Sequence, residues 1–455
     1  MRALRFHLLF GAVLAVLVAG IVLGFAGRGP WAWTIGLTYI AYDSWLLLAM
    51  VVAAFRVLRQ PKPEAQGEAG TMTVLVCARD ERAVLPACLA ALRAQTAPAE
   101  EIVVVDDGSR DGSAGWLRDE YRLDEREASA AWPGLRLLAL PHGGKARALN
   151  AAIATATGDL VVTLDADTLL EPGALAAVRA AFAADPHLVA AGGVLTPRCR
   201  GGRLGPVFEF YQTFEYLRSF LWRLVWARGS RLLLISGAFA IFRRPVLAEL
   251  GGFRPESVVE DYEFVYRLHR RTGDLGLGWR TGVIADARAV TDVPSAVPNF
   301  LRQRMRWFFG FLETLFLNRD MVGDGRYGSV GRYMLPLKVV DALLPIYALL
   351  TAALLIGFVI VGKSWDRWVV GVIVGKIVFD LVCHALSVFL YQRWQDIPGR
   401  LWLGSLLATL SEPFGFQLLR HLGAALGWIA FLRGRVDWTP QRAPVKEPSL
   451  SPKGG

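Results

Sequence analysis

Cysteine is scarce and unpatterned in this chain. Its four residues, Cys77, Cys88, Cys199 and Cys383, form no CxxC pair and no metal-ligand spacing. A disulfide framework and a thiolate metal centre are therefore not expected, and buried reduced thiols are. No internal repeat is present, which excludes a stacked-repeat architecture. Charged residues are few, at 20% of the chain, yet the formal net charge is +10. No nucleic-acid recognition motif accompanies that excess. Instead Arg56, Arg59, Arg393, Arg400, Arg433 and Arg435 lie beside apolar stretches. That placement fits the cytosolic face of a membrane protein and its anionic lipids, so membrane lipids are expected partners and nucleic acid is not.

What the chain has in abundance is apolar sequence. Of its 455 residues 54% are hydrophobic, and the mean hydropathy is +0.37. Soluble domains usually hold about 45–50% apolar residues. The excess sits at both ends, while residues 70 to 300 have a soluble mixture. His7 to Ala26 and Trp31 to Phe55 are runs of spanning length joined by Gly27-Arg28-Gly29-Pro30, which reads as a helical hairpin over 1–59. A cleaved signal followed by one anchor is the competing reading. A Pro-, Glu- and Gly-rich linker fills 60–70. Two further spans, Met334 to Val361 and Trp368 to Tyr391, flank an outward-facing Gly362-Lys363-Ser364-Trp365. Leu401 to Leu432 is apolar but interrupted at Ser411-Glu412-Pro413. A proline breaks a helix and a carboxylate is costly in hydrocarbon, so a broken or re-entrant helix is expected within 333–435. The tail, 436–455, reads as disordered.

Between the apolar ends the period changes. Short β-branched runs at Thr73 to Cys77, Glu101 to Val105, Leu135 to Leu140 and Leu160 to Leu164 alternate with helical patterns at Ala83 to Gln95 and Lys145 to Thr157. Alternation of this kind predicts an α/β domain over 71–298 with a largely parallel sheet. Phe208 to Trp226 and Asn299 to Asn318 are amphipathic. The first reads equally as a membrane-surface helix or a packed core helix, and the second belongs to an interface region at 299–332.

Ligands of such sheets bind beyond the carboxyl ends of the strands, and two acidic clusters fall there. Asp106-Asp107-Gly108 ends the second strand and can offer acceptors to a uracil or ribose, although Asp and Gly are ordinary turn residues. Ala78-Arg79-Asp80-Glu81 ends the strand beside it. Glu81 is a second nucleoside contact or a helix N-cap. Asp165-Ala166-Asp167 places two hard oxygen donors just past a buried strand, as Mg²⁺ or Mn²⁺ holding a diphosphate requires. In Val259-Glu260-Asp261, Asp261 is placed to take a proton from an acceptor hydroxyl, with helix capping as the rival. Gln303, Arg306 and Trp307 share one helical face. There Arg306 can pair with diphosphate and Trp307 can stack on a sugar, or the segment is simply an amphipathic helix.

Taken in order, Asp-Asp-Gly, Asp-x-Asp, Glu-Asp and Gln-x-x-Arg-Trp, followed by membrane helices, resemble the family 2 inverting glycosyltransferases. The nearest subgroup is the membrane synthases of cellulose, chitin, hyaluronan and poly-N-acetylglucosamine. The resemblance covers about residues 70 to 320. It implies a GT-A-type nucleotide-sugar domain inserted between transmembrane α-helices, a UDP-sugar donor and a divalent cation. It further implies that Asp107 and Glu81 contact uridine. Asp165 and Asp167 serve diphosphate and metal, and Asp261, beside Glu260, is the base. Lys145, in Gly144-Lys145-Ala146, touches the donor phosphates. Ser236-Gly237 resembles the acceptor-side loop, and Gln303, Arg306 and Trp307 hold the diphosphate and the acceptor end.

Two departures bear on this. Val259 stands where many members have Thr, a minor change. The short tail is not expected to hold a regulatory domain of the kind attached to bacterial cellulose synthases, and the membrane part is smaller than in those synthases, which counts against cellulose. The expected activity is metal-dependent, processive transfer to a growing polysaccharide at the cytosolic face of the inner membrane, with export coupling and any export partners open. Single addition to a membrane lipid is the alternative. A non-enzymatic scaffold is a third reading, opposed by the intact carboxylates.

Overall fold

The computed structural model describes residues 3–26, 32–59, 70–124, 126–360, 367–395 and 401–434. The expected turn at 27–30, most of the 60–70 linker, the outward turn at 362–365 and the tail lie outside these residues.

The chain opens with α1 (Leu4–Ala26) and α2 (Thr34–Leu58). Both are apolar around most of their circumference, and α1 leaves Leu8, Val18 and Val22 exposed. Further on, α11 (Leu335–Ile360) and α12 (Arg367–Gln395) have the same character. By length and composition four helices among the described residues can cross a membrane. A helix apolar all round needs an apolar surround, and exposed Val370, Val374, Val378 and Val382 on α12 supply one outward face.

Next come β1 (Met72–Ala78), α3 (Leu85–Arg93), β2 (Glu101–Asp107), α4 (Ser113–Tyr121), β3 (Leu135–Leu140), α5 (Lys145–Ile153) and β4 (Leu160–Asp165). These right-sized β-branched runs pair in parallel, and β1, β2 and β4 are buried on both faces because helices cover each side. Beyond them lie β5 (Leu169–Leu170), α6 (Ala174–Ala184), β6 (Leu188–Arg198), α7 (Gly205–Arg228), β7 (Phe239–Arg243), α8 (Arg244–Glu249), α9 (Glu260–Leu275) and β8 (Arg280–Asp292). The eight strands form one sheet in the order β3-β2-β1-β4-β7-β6-β8-β5. Here the expectation of a largely parallel sheet needs correction. β7 runs antiparallel to both β4 and β6, and β5 runs antiparallel to β8. The parallel half is the half built from strand–helix alternation. β7 instead follows the loop after α7 and inserts between β4 and β6.

One face of the sheet packs on α7, whose Phe214, Leu217, Phe220, Leu221 and Leu224 are buried. The same core includes Leu47, Val51 and Ala54 of α2 and Tyr391 and Trp394 of α12. Of the two readings of α7, the core helix is therefore the one realised. The opposite face packs on α5, α8 and α9. Finally α10 (Val297–Leu317) leads to α11, and α13 (Leu401–Ser411) is followed by a 3-10 turn at Glu412–Phe414 and by α14 (Phe416–Arg433). The helix stops where Ser411-Glu412-Pro413 interrupts the apolar run.

Candidate active site

Strand register assembles the acidic edge. Ala78 of β1 is level with Asp106 of β2, and Cys77 is level with Asp165 of β4. The Asp-Asp-Gly and Asp-x-Asp carboxylates thus share the carboxyl edge of the parallel half, where its ligands bind.

Asp107 is buried and fully engaged. Its Oδ1 accepts from the Gly143 N–H at 2.7 Å and from the Gly144 N–H at 3.2 Å, while Oδ2 lies 2.9 Å from His142 Nδ1. Arg79 Nη1 lies 2.7 Å from His142 Nε2. A guanidinium can only donate, so Nε2 accepts and Nδ1 carries the proton given to Asp107. Gly108 has φ +71°, and a Cβ there would come within 2.7 Å of the His142 nitrogen, so this turn requires glycine. Asp106 differs. Its Oδ2 accepts from the Ser109 N–H at 3.3 Å, while its Oδ1 is buried with no hydrogen-bond partner among the described residues.

Half-buried Glu81 begins the turn into α3, and its carbonyl accepts from Val84 and Leu85. The N-cap of that helix is Val84, with no side-chain cap. The loops after β1 and β2 clasp each other through Asp80 Oδ1, which accepts from Arg110 at 2.7 Å, and Asp111 Oδ2, which accepts from Arg82 at 2.8 Å.

The loop held by Asp107 ends in Gly144, at φ +92°, and delivers Lys145 as the first residue of α5. Lys145 Nζ lies 2.6 Å from Asp165 Oδ1 and 3.7 Å from Glu260 Oε1. Burial alone would push this ammonium down, but Asp165 and Glu260 outweigh it and hold Lys145 above the ordinary lysine range. Glu260 is pushed up by burial and by neighbouring Asp261, against the pull of Lys145 and Arg306. Asp261, one residue into α9, accepts from the Gly237 N–H at 2.7 Å through Oδ2 and from the Tyr262 N–H at 2.8 Å through Oδ1. The half-buried Ser236-Gly237 loop therefore fixes the Asp261 carboxylate from the sheet side.

Asp167 Oδ1 receives long contacts of 3.3 Å from the Thr168 and Thr291 hydroxyls. On α10, Gln303 is buried, and Arg306 and Trp307 are half-buried. Arg306 Nε is buried without a hydrogen-bond partner among the described residues. The Arg304 guanidinium lies over the Trp307 ring at 4.6 Å.

Lys145, Asp165, Glu260, Asp261 and Gly237 thus meet directly, with Arg306 close enough to influence Glu260. Ala78, Asp106 and Asp107 lie along the same strand edge, and Glu81 follows it by three residues. Sequence reading passed over His142, Gly143, Thr291 and Arg304. The Pro141-His142-Gly143-Gly144 turn was the one local signal for the first two.

Residues 73–251 match the sequence model of Glycosyl transferase family 2. A poly-beta-1,6-N-acetyl-D-glucosamine synthase of Staphylococcus aureus is 27% identical over 281 residues, covering 61% of this chain and 63% of the relative. An N-acetylglucosaminyltransferase of Sinorhizobium fredii is 28% identical over 289 residues, covering 59% and 66%. The matches thus span less than two thirds of either relative. Among solved structures, a mannosyltransferase from Pyrobaculum calidifontis in complex with GDP-Man and Mn²⁺ aligns with a TM-score of 0.53 and 19% identity, over 89% of this chain and 99% of that one. That likeness extends over the fold. Residues 73–251 thus match the family 2 glycosyltransferase model, and the mixed α/β sheet that carries them shares its fold with that mannosyltransferase.

Proposed function

We propose that this chain transfers a sugar, with inversion, from a UDP-sugar to the hydroxyl of a growing polysaccharide at the cytosolic face of the inner membrane. The observation that carries the reading is the fixed Asp261 carboxylate beside the Lys145–Asp165–Glu260 cluster. The two bacterial relatives support N-acetylglucosamine as the sugar, because their names specify it.

In this reading Asp261 accepts the proton of the acceptor hydroxyl as its oxygen bonds to the anomeric carbon. The bond from that carbon to the diphosphate breaks, and UDP leaves with the electron pair. Lys145 and Arg306 face the leaving diphosphate, and Trp307 faces the acceptor end. Asp106, with its spare buried oxygen, takes the nucleoside contact together with Glu81 and the Ala78 backbone. Asp107 acts through the 142–144 loop, so the uridine role expected of it passes to its neighbour.

The donor set fits a hard divalent cation of the Mg²⁺ or Mn²⁺ kind. Asp165 and Asp167 offer carboxylate oxygens, and among the described residues no group of three or more Asp, Glu, His or Cys side chains is arranged to hold a metal ion by itself. That is the pattern of an ion completed by substrate phosphates rather than by a protein cage. Held by Asp165 and Asp167, such an ion would offset charge on the departing diphosphate. Positioning and fixed charge supply most of the acceleration in a transfer of this kind.

The test is to incubate membranes bearing the protein with labelled UDP-sugars and size the product. A long polymer is expected, abolished by chelation and by Asp261→Asn, with UDP binding retained in that variant. A single labelled lipid would move the acceptor to the alternative class. Near-normal turnover by Asp261→Asn would overturn the base.

A further inference from the structure

The helix bearing Gln303, Arg306 and Trp307 is held by a side chain within the same motif. Arg304 Nη1 and Nη2 donate to Glu215 Oε1 and Oε2 on α7 at 2.7 and 2.8 Å. The two side chains are only 12% and 15% exposed, so water screens the pair little. The same guanidinium lies 4.6 Å from the ring centres of both Phe300 and Trp307. It is therefore clamped in plane between a carboxylate and two aromatic faces.

The clamp continues away from the catalytic edge. Arg420 of α14 lies 3.7 Å from Glu215 and 3.4 Å from Glu412. Glu412 is buried in the break between α13 and α14, where Arg218 Nη2 donates to both its oxygens at 2.9 and 2.7 Å. Arg218 and Glu215 share α7. One chain of ion pairs thus runs from the helix break to the face of Trp307. Among these groups three guanidinium ions face two carboxylates, so neutralising Glu215 removes the carboxylate that Arg304 pairs with and leaves Arg420 paired with Glu412. Glycines reinforce the seam. A Cβ on Gly423 of α14 would approach the Arg304 Cβ at 2.5 Å, so the two helix backbones are in contact there.

We propose that Glu215 is a positioning residue for sugar transfer. By gripping Arg304 it fixes the Trp307 ring and the register of Arg306, and so couples the packing of the α13–α14 break to the acceptor end of the site. This rests on the proposed roles of Arg306 and Trp307. Glu215 itself touches neither donor nor acceptor, and its effect passes entirely through α10. A lost grip lets Trp307 rotate, which misaligns the acceptor while leaving the nucleoside end, built from β1 and β2, undisturbed.

The experiment uses the full chain, purified in detergent, with the UDP-sugar that supports wild-type transfer. Glu215→Gln, Glu215→Asp, Arg304→Gln, the Glu215→Gln/Arg304→Gln double variant and Arg306→Ala are compared for UDP affinity, transfer kcat, and sugar incorporated per UDP released. For Glu215→Gln, UDP affinity within about twofold of wild type and a kcat lower by about tenfold are expected, from a misplacement well under 1 Å. Incorporation per UDP released should also fall, because a misaligned acceptor lets water compete. Glu215→Asp should recover part of both, and the double variant should be no worse than Arg304→Gln alone. Wild-type kcat and coupling in Glu215→Gln would overturn the proposal, as would equal loss of UDP affinity and kcat. Should Glu215→Gln fail to fold, wild-type kinetics in folded Arg304→Gln would overturn it equally. Arg306→Ala separates the underlying reading. If that variant transfers normally, the assignment of the α10 face falls, whatever Glu215 does.

Discussion

At the scale of single residues, the Asp261 carboxylate is held by a backbone amide rather than by a side chain, and that makes Gly237 a sensitive position. A Cβ built there would lie 3.2 Å from Asp261 Oδ2 and 3.4 Å from its Cβ, tighter than ordinary van der Waals contact. Gly237→Ala should therefore displace the base by a few tenths of an ångström without touching the nucleoside end. A 1 Å misplacement costs about a hundredfold in rate, so roughly tenfold is expected here. Kinetics on the purified variant, with UDP binding measured beside it, check this: kcat should fall and UDP affinity hold. An unchanged kcat would mean the Gly237 amide does not set the base. Much of this site was legible in the chain because its carboxylates follow strand ends, where a short motif and its position carry the same message. The support of Asp107 was not legible. His142 is 35 residues from Asp107 and 63 from Arg79 in sequence. Only the pairing of β2 with β3 brings that imidazole between them.

At the scale of elements, two helices decide how the Gln303–Trp307 face is presented. On α14, Gly423 and Gly427 lie four residues apart on one face, against α10. A Cβ on Gly427 would meet the Phe308 Cβ at 2.8 Å and the Met305 carbonyl oxygen at 3.0 Å. Backbone atoms cannot swing away as a side-chain tip can, so any larger residue must part the helices. Gly427→Val should cost about 1–3 kcal/mol or more through overpacking. Its thermal inactivation midpoint in detergent should drop and its transfer rate should fall. Gly375→Ala on α12, where a Cβ meets nothing within 4 Å, is the matched control and should leave both unchanged. Equal midpoints for the two variants would show that the seam tolerates separation. The helix break beside this seam could be read in advance, since a proline and a carboxylate interrupt an apolar run at one point. The antiparallel insertion of β7 could not. Phe239–Arg243 is a five-residue strand, apolar up to its final arginine, with no local mark of direction, and its orientation is set by the two strands it joins.

At the scale of the whole molecule, the sequence divides cleanly into apolar ends and a mixed middle, but the packing does not follow that division. The apolar face of α7 lies against the sheet on one side and is continuous, through Leu47, Val51 and Ala54, with α2. It is also continuous with Tyr391 and Trp394 of α12. Phe214, Leu217, Phe220, Leu221 and Leu224 are thus covered by elements from the chain's beginning, middle and later third. A fragment of residues 71–298, drawn at the composition boundaries, would lose α2 and α12 together with α10 and α14. Contiguous apolar patches of several hundred Å² are rare on soluble monomers because water drives them into association. Expressed alone, this fragment should aggregate in detergent-free buffer, while the full chain in detergent should elute as a single species that binds UDP. Size-exclusion chromatography with a UDP-binding assay checks both. A monodisperse, UDP-binding fragment would show that the sheet and its helices form a self-sufficient core. It would also show that the coupling of α7 to the apolar helices adds nothing to the folding of the catalytic domain.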